Sequence, residues 1–143
     1  MRISTKGRYG LAVMVCLAEK SAQLTAVDIA KKLGISKIYL EQVLSLLKGT
    51  GLINSVKGFQ GGYHLDAAAR EVTVLDILKA TEPSLFEHTE PCAADVNAGY
   101  IEKAVQSTVW EKLDASIAAL LGGITLQDLA DNCKKQGGYM FYI

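Results

Sequence analysis

The chain has 143 residues, half of them hydrophobic, and its 15 Lys/Arg balance 15 Asp/Glu to a formal net charge of zero. That is enough apolar material for one compact core with an appendage. No uncharged apolar run is long enough to span a bilayer, and Arg2, Lys6 and Arg8 interrupt any leader-like start, so a cytoplasmic chain without membrane contact is expected. Cys16, Cys92 and Cys133 are odd in number, widely spaced and free of any C-x-x-C, which excludes a disulfide framework and an ordinary structural zinc site.

The first helix opens at Ser4 or Thr5 and runs to about Lys20 through Tyr9, Val13, Met14 and Leu17, with Gly10 as an unfavourable interior residue. Thr25 with Asp28 three residues on is a capping box in a weaker, aspartate form. Ala26, Ile29, Ala30 and Leu33 then give one face of a short helix, and Gly34 makes the turn. Ser36 caps the next helix, where Leu40, Val43, Leu44 and Leu47 fall at i, i+3, i+4 and i+7. The opposite face carries Lys37, Tyr39, Glu41, Gln42, Ser45 and Lys48, a dense set of hydrogen-bonding groups on a helix anchored from behind.

Gly49 and Gly51 stop that helix. Residues 52–57 read as a strand, 58–62 as a glycine-rich tip containing Gln60 and Gly61, and 63–65 as the return strand. Helix, turn, helix, strand, tip and strand spell a winged helix-turn-helix over residues 1–82, whose second helix would enter a DNA major groove. The charge agrees, because residues 1–75 hold ten Lys/Arg and five Asp/Glu, a surplus of +5, and the remainder must carry −5. A basic half joined to an acidic half fits contact with a polyanion on one side only.

Thr73 and Asp76 repeat the cap before Val74, Ile77 and Leu78, and Glu82-Pro83 ends that helix. Residues 83–99 hold two prolines and no period, hence a loop. From Tyr100 to Leu121 one helix about 33 Å long is expected. Its stripe of Ile101, Val105, Val109, Leu113, Ile117 and Leu120 lies outside the winged unit and needs a partner surface. Thr125 and Asp128 supply a third cap for a short last helix, completing a 100–135 unit. Gln136-Gly137-Gly138 then releases an apolar tail, 136–143, ending Tyr139-Met140-Phe141-Tyr142-Ile143. The fold class is mainly α.

These residues resemble the bacterial winged-helix regulators of the Rrf-two family, which includes the IscR, NsrR and CymR types. The likeness rests on residues 1–9 (Met-Arg-Ile-Ser-Thr-Lys-Gly-Arg-Tyr), Tyr39-Leu40-Glu41-Gln42, Gly51-Leu52-Ile53, Gly61-Gly62-Tyr63, Trp110 and Thr125-Leu126. Its apolar C-terminus makes it most similar to the CymR type, regulators of cysteine and sulfur metabolism. The resemblance implies a homodimer held by the 100–121 helix. Iron–sulfur members carry three close cysteines between the winged domain and the long helix, where only Cys92 stands here, so no cluster and no other cofactor or metal is expected. Lys57 replaces a common wing arginine, and Ile38 replaces a common polar residue, which implies an altered base preference.

Double-stranded DNA is therefore the expected partner. Lys6, Arg8 and Lys57 would grip phosphates, Gln42 would pair with an adenine edge, and Glu41 would accept from cytosine or exclude sequences by repelling phosphate; Arg2, Lys37, Tyr39, Gln60 and Gly61 complete the expected contacts. Cys16 and Cys133 read as inert core thiols, while Cys92, beside Glu90, leaves a thiol-based redox sensor as an alternative. The other alternative is a docking protein. By resemblance to proteins that end in isoleucine and bind cysteine synthase, Tyr139, Phe141, Tyr142 and Ile143 would occupy that enzyme's substrate site. No nucleophile motif, phosphate loop or carboxylate pair supports an enzyme.

Overall fold

The structure is a computed structural model that describes residues 2–19, 23–59, 61–87 and 99–141, residues 138–141 by backbone alone. The fold opens with helix α1 (Thr5–Glu19), α2 (Ala26–Leu33) and α3 (Lys37–Gly49), continues through strands β1 (Ile53–Val56) and β2 (Gly62–Leu65), and then enters α4 (Val74–Thr81). The two strands pair antiparallel with Ile53 opposite Leu65 and Val56 opposite Gly62. Leu24 adds a bridge on the far side of β2 through Leu24 N to Tyr63 O, 3.0 Å, and Tyr63 N to Leu24 O, 2.7 Å. A winged helix results, with the expected boundaries met closely.

The core forms where the apolar faces converge: Val13, Met14 and Leu17 of α1, Ile29 of α2, Leu40, Val43, Leu44 and Leu47 of α3, Ile53 of β1 and Ile77 of α4. Each fully buried aliphatic side chain contributes about 1.5–3 kcal/mol relative to exposure. The caps close as the sequence spells them, and the aspartates reach back without difficulty. Asp28 accepts from Thr25 N at 3.1 Å, Asp76 from Thr73 N at 3.0 Å and Asp128 from Thr125 N at 2.9 Å. The reciprocal bonds to the threonine hydroxyls are 3.1, 3.1 and 3.0 Å.

The long helix is present but not uniform. It comprises α5 (Gly99–Val105), a π segment over Gln106–Trp110 and α6 (Glu111–Gly122). Residues spaced by four gain about 40° per step around an α-helix. The wider i→i+5 turn of a π segment takes up part of that drift between Val105 and Val109 and keeps the stripe together. The chain then returns to the winged unit, where Val74 N bonds Ile124 O at 2.9 Å and Leu126 N bonds Val72 O at 2.8 Å.

Two expectations need correction. The last helix is not short: α7 spans Leu126–Phe141, so the backbone of 136–141 is helical and not a released linker. Gly137 and Gly138 each lower helix stability by about 1 kcal/mol but keep their amides, and a helix capped at Thr125 and packed on α1 tolerates that. Residues 83–99 are not wholly irregular either, since Pro83–Phe86 form a 3₁₀ turn. Cys92 lies outside the described residues, as do the side chains of Tyr139 and Phe141 and the whole of Tyr142 and Ile143.

Candidate nucleic-acid interface

Helix α3 is fixed at both ends and along its back. Ser36 Oγ accepts from Tyr39 N at 3.3 Å, and Lys48 Nζ donates to Ser55 Oγ of β1 at 2.7 Å. The Tyr39 ring is half-buried and meets Tyr9 edge to face, with centroids 5.3 Å apart. That contact helps hold α3 against α1. Lys37 and Glu41 form an exposed i,i+4 ion pair at 4.0 Å, worth a few tenths of a kcal/mol.

What α3 turns outward is a stripe: Ile38, Glu41, Gln42 and Ser45, all exposed, at i, i+3, i+4 and i+7. Together with Leu46 and Lys6 these residues line an open groove of about 520 Å³. Lys6 reaches it because the start of α1 is tied down. Ser4 caps α1 by accepting from Gly7 N at 3.3 Å, and its own N–H and hydroxyl donate to Glu82 at the end of α4. Arg2 and Arg8 are exposed but line a second cleft, with Ile3, Leu11 and Leu78. The expected phosphate contacts thus fall into two groups.

The wing tip depends on its glycines. Gly61 N bonds Gly58 O at 3.0 Å, and a Cβ at Gly61 would lie 2.3 Å from Val56 O. Gly61 closes the turn and presents no side chain; its place in the interface is structural. Gly58, at φ +116°, occupies backbone space that favours glycine. Lys57 is exposed beside it and Phe59 is fully exposed at the tip. Gln60 lies outside the described residues.

On the far side of the molecule the structure assembles a cluster that sequence spacing does not announce. Cys133 of α7 donates its thiol to Glu19 Oε1 at 2.8 Å, and Lys32 of α2 pairs with Glu19 Oε2 at 2.8 Å. Cys133 is thus half-buried and hydrogen-bonded, not a core thiol. The bond from Cys133 and that from Lys32 hold the Glu19 carboxyl below its usual range. The same bond to Glu19 raises the Cys133 thiol, and burial raises Cys16. Among the described residues no group of three His, Cys, Asp or Glu side chains could hold a metal ion, and Cys92 lies outside them.

Along the long helix Ile101, Val105, Val109, Leu113 and Leu120 are exposed as the stripe requires. Ile117 differs: it is half-buried against its own chain, in a cleft with Leu75, Leu85 and Phe86.

A profile of the Rrf2 family, described as iron-dependent transcriptional regulators, matches residues 3–132. The chain is 34% identical to the HTH-type transcriptional regulator CymR of Bacillus subtilis, over 100% of both chains. It is 34% identical to the HTH-type transcriptional regulator IscR of Vibrio atlanticus, over 90% of this chain and 75% of that one. Among solved structures it is similar to CymR (YrzC), described as the global cysteine regulator of B. subtilis, with TM-score 0.75 and 30% identity over 92% of this chain and 98% of that one. IscR of T. potens superposes with TM-score 0.74 at 35% identity, covering 99% and 97%. All of these relatives are regulators and not enzymes. With the helix, wing and caps in place and the match running nearly end to end, the chain belongs to the Rrf2 family of transcriptional regulators and has their winged-helix DNA-binding fold.

Proposed function

We propose that the protein is a homodimeric repressor of genes of cysteine and sulfur metabolism, acting in the cytoplasm and without an iron–sulfur cluster. The observation that carries the DNA reading is the outward stripe of α3, where Glu41, Gln42 and Ser45 stand beside Lys6 on a helix immobilised at both ends. Gln42 presents the donor and acceptor that match adenine, and Glu41 the acceptor that matches the cytosine amino group. Lys57 on the wing supplies a phosphate contact, and Arg2, Arg8 and Lys37 add further positive charge. Cysteine metabolism is supported by the full-length likeness to CymR. Operation without a cluster is supported by the spacing of the cysteines, of which only Cys92 lies between the winged unit and the long helix; the raised pKa of Cys16, through burial, and of Cys133, through its bond to Glu19, weighs against a thiol sensor at those two positions.

The experiment is enrichment of fragments from the source genome by the purified protein, followed by footprinting. Inverted repeats upstream of sulfur-assimilation and cysteine-synthesis genes are expected. Enrichment of reproducible sites that never lie near such genes would overturn the metabolic assignment while leaving DNA binding intact.

The C-terminal residues Tyr139, Phe141, Tyr142 and Ile143 support a further contact, with cysteine synthase, through capture of the terminal carboxylate. Because α7 is helical to Phe141, its last turn would have to unwind on docking. Calorimetry with the enzyme should show binding that deletion of Ile143 abolishes; an absence of binding by the intact chain would refute this contact.

A further inference from the structure

Ile38 is 76% exposed, in the first turn of α3, next to groups that are otherwise polar. Nothing in the fold requires it there. The face of α3 that packs the core is filled by Leu40, Val43, Leu44 and Leu47, and a β-branched residue on an exposed helix face is a poor helix former. Yet Ile38 lies in the same groove as Lys6, Glu41, Gln42 and Ser45, and it shares their stripe. The N-terminal residues of a recognition helix are those that meet base edges. Of the groups that base pairs display in the major groove, one is apolar, the C5-methyl of thymine.

We propose that Ile38 is a specificity-determining residue that reads a thymine methyl group. The proposal deepens the DNA-binding reading and rests on it. Ile38 and Gln42 are one helical turn apart, about 6 Å along the axis, which spans roughly two base-pair steps of 3.4 Å. The thymine should therefore lie within about two base pairs of the adenine read by Gln42. Removing the methyl should lose about the contribution of one buried carbon, close to a fourfold change in affinity per half-site.

The test uses the full-length protein and the duplex it selects from a random pool. Thymines in each half-site are replaced singly by deoxyuridine, which lacks only the 5-methyl group. The wild-type protein should lose about fourfold at one thymine per half-site, and Ile38→Ala should bind the thymine and deoxyuridine duplexes equally. Ile38→Val, which keeps a branched apolar side chain, should retain most of the discrimination. Indifference of the wild-type protein to every replacement would overturn the assignment while DNA binding stood. So would a methyl sensitivity that persists in Ile38→Ala. If the pool yields no preferred duplex, the sequence-reading interface itself is wrong and the role of Ile38 falls with it.

Discussion

Glu19 joins three helices through one carboxylate, accepting from Lys32 of α2 and Cys133 of α7 while belonging to α1. The two interactions have opposite pH signatures. The Glu19 carboxyl is depressed from its ordinary 4.5, so its contribution is present above that value and is lost as pH falls through the depressed one. The thiols of Cys133 and Cys16 are raised from 9.0, so the unfolded chain releases these protons first. Their contribution is intact below pH 9.0 and is lost as pH rises through the raised values. Stability should therefore fall on the alkaline side beginning near pH 9.0, and Cys133→Ala should make that fall shallower in thermal melts. An unchanged alkaline slope in the variant would remove the thiol from the account. Glu19→Gln at neutral pH should cost only about 1 kcal/mol, because the Lys32 side chain is 44% exposed and solvent screens the pair. None of this was legible in the sequence: Glu19 and Cys133 are 114 positions apart and neither belongs to a recognisable spacing. The local chemistry was legible, since each Thr-x-x-Asp needs only its own four residues to close.

At the scale of elements, the close crossing of α1 and α4 is tightest against side-chain carbon at Gly10. Gly10 looks like a defect in α1, but a Cβ there would lie 2.6 Å from Thr81 Cγ2, and Thr81 is buried with its hydroxyl bonded to Ile77 O at 3.0 Å. Gly10→Ala gains about 1 kcal/mol of helix propensity and incurs about 1–3 kcal/mol of overpacking. We expect net destabilisation in denaturant titrations, largely relieved by adding Thr81→Ser, which removes the methyl and keeps the hydroxyl. A Gly10→Ala variant more stable than wild type would show that the helices have room to separate. Sequence periodicity gave α1 to α4 and the wing because each carries its own period, cap and stop. It did not give the π segment, which reconciles a four-residue apolar repeat with a helix that must keep one face outward. Nor did it give the continuation of α7, where adjacent glycines read as a break although packing and capping upstream sustain the helix. In the candidate interface, the outward face of α3 was readable from the inward one. That Tyr39 is spent on packing, that Arg2 and Arg8 sit in a different cleft from Lys6, and that Gly61 acts through its missing side chain required the three-dimensional arrangement.

For the molecule as a whole, the exposed stripe of Ile101, Val105, Val109, Leu113 and Leu120 on the long helix forms a surface that an isolated chain would leave in water, and a second copy is the proposed cover. Leu113→Glu with Leu120→Glu tests this better than any change at Ile117, which packs within its own chain. Wild-type protein should sediment as a dimer at micromolar concentration and the double variant as a folded monomer with much weaker DNA binding. A monomeric wild type that still binds tightly would contradict the dimer.

The proposed division of labour, in which α3 reads sequence while the wing grips backbone, is tested most directly by one comparison. Affinities of wild type, Gln42→Ala and Lys57→Ala are measured across a salt series on the selected operator and on a scrambled duplex. Gln42→Ala should lose about 1–3 kcal/mol on the operator and almost nothing on the scrambled duplex. Lys57→Ala should weaken both alike and flatten the salt dependence by about one counterion per protomer. Equal weakening of both duplexes by Gln42→Ala would contradict the account and move sequence reading off the helix.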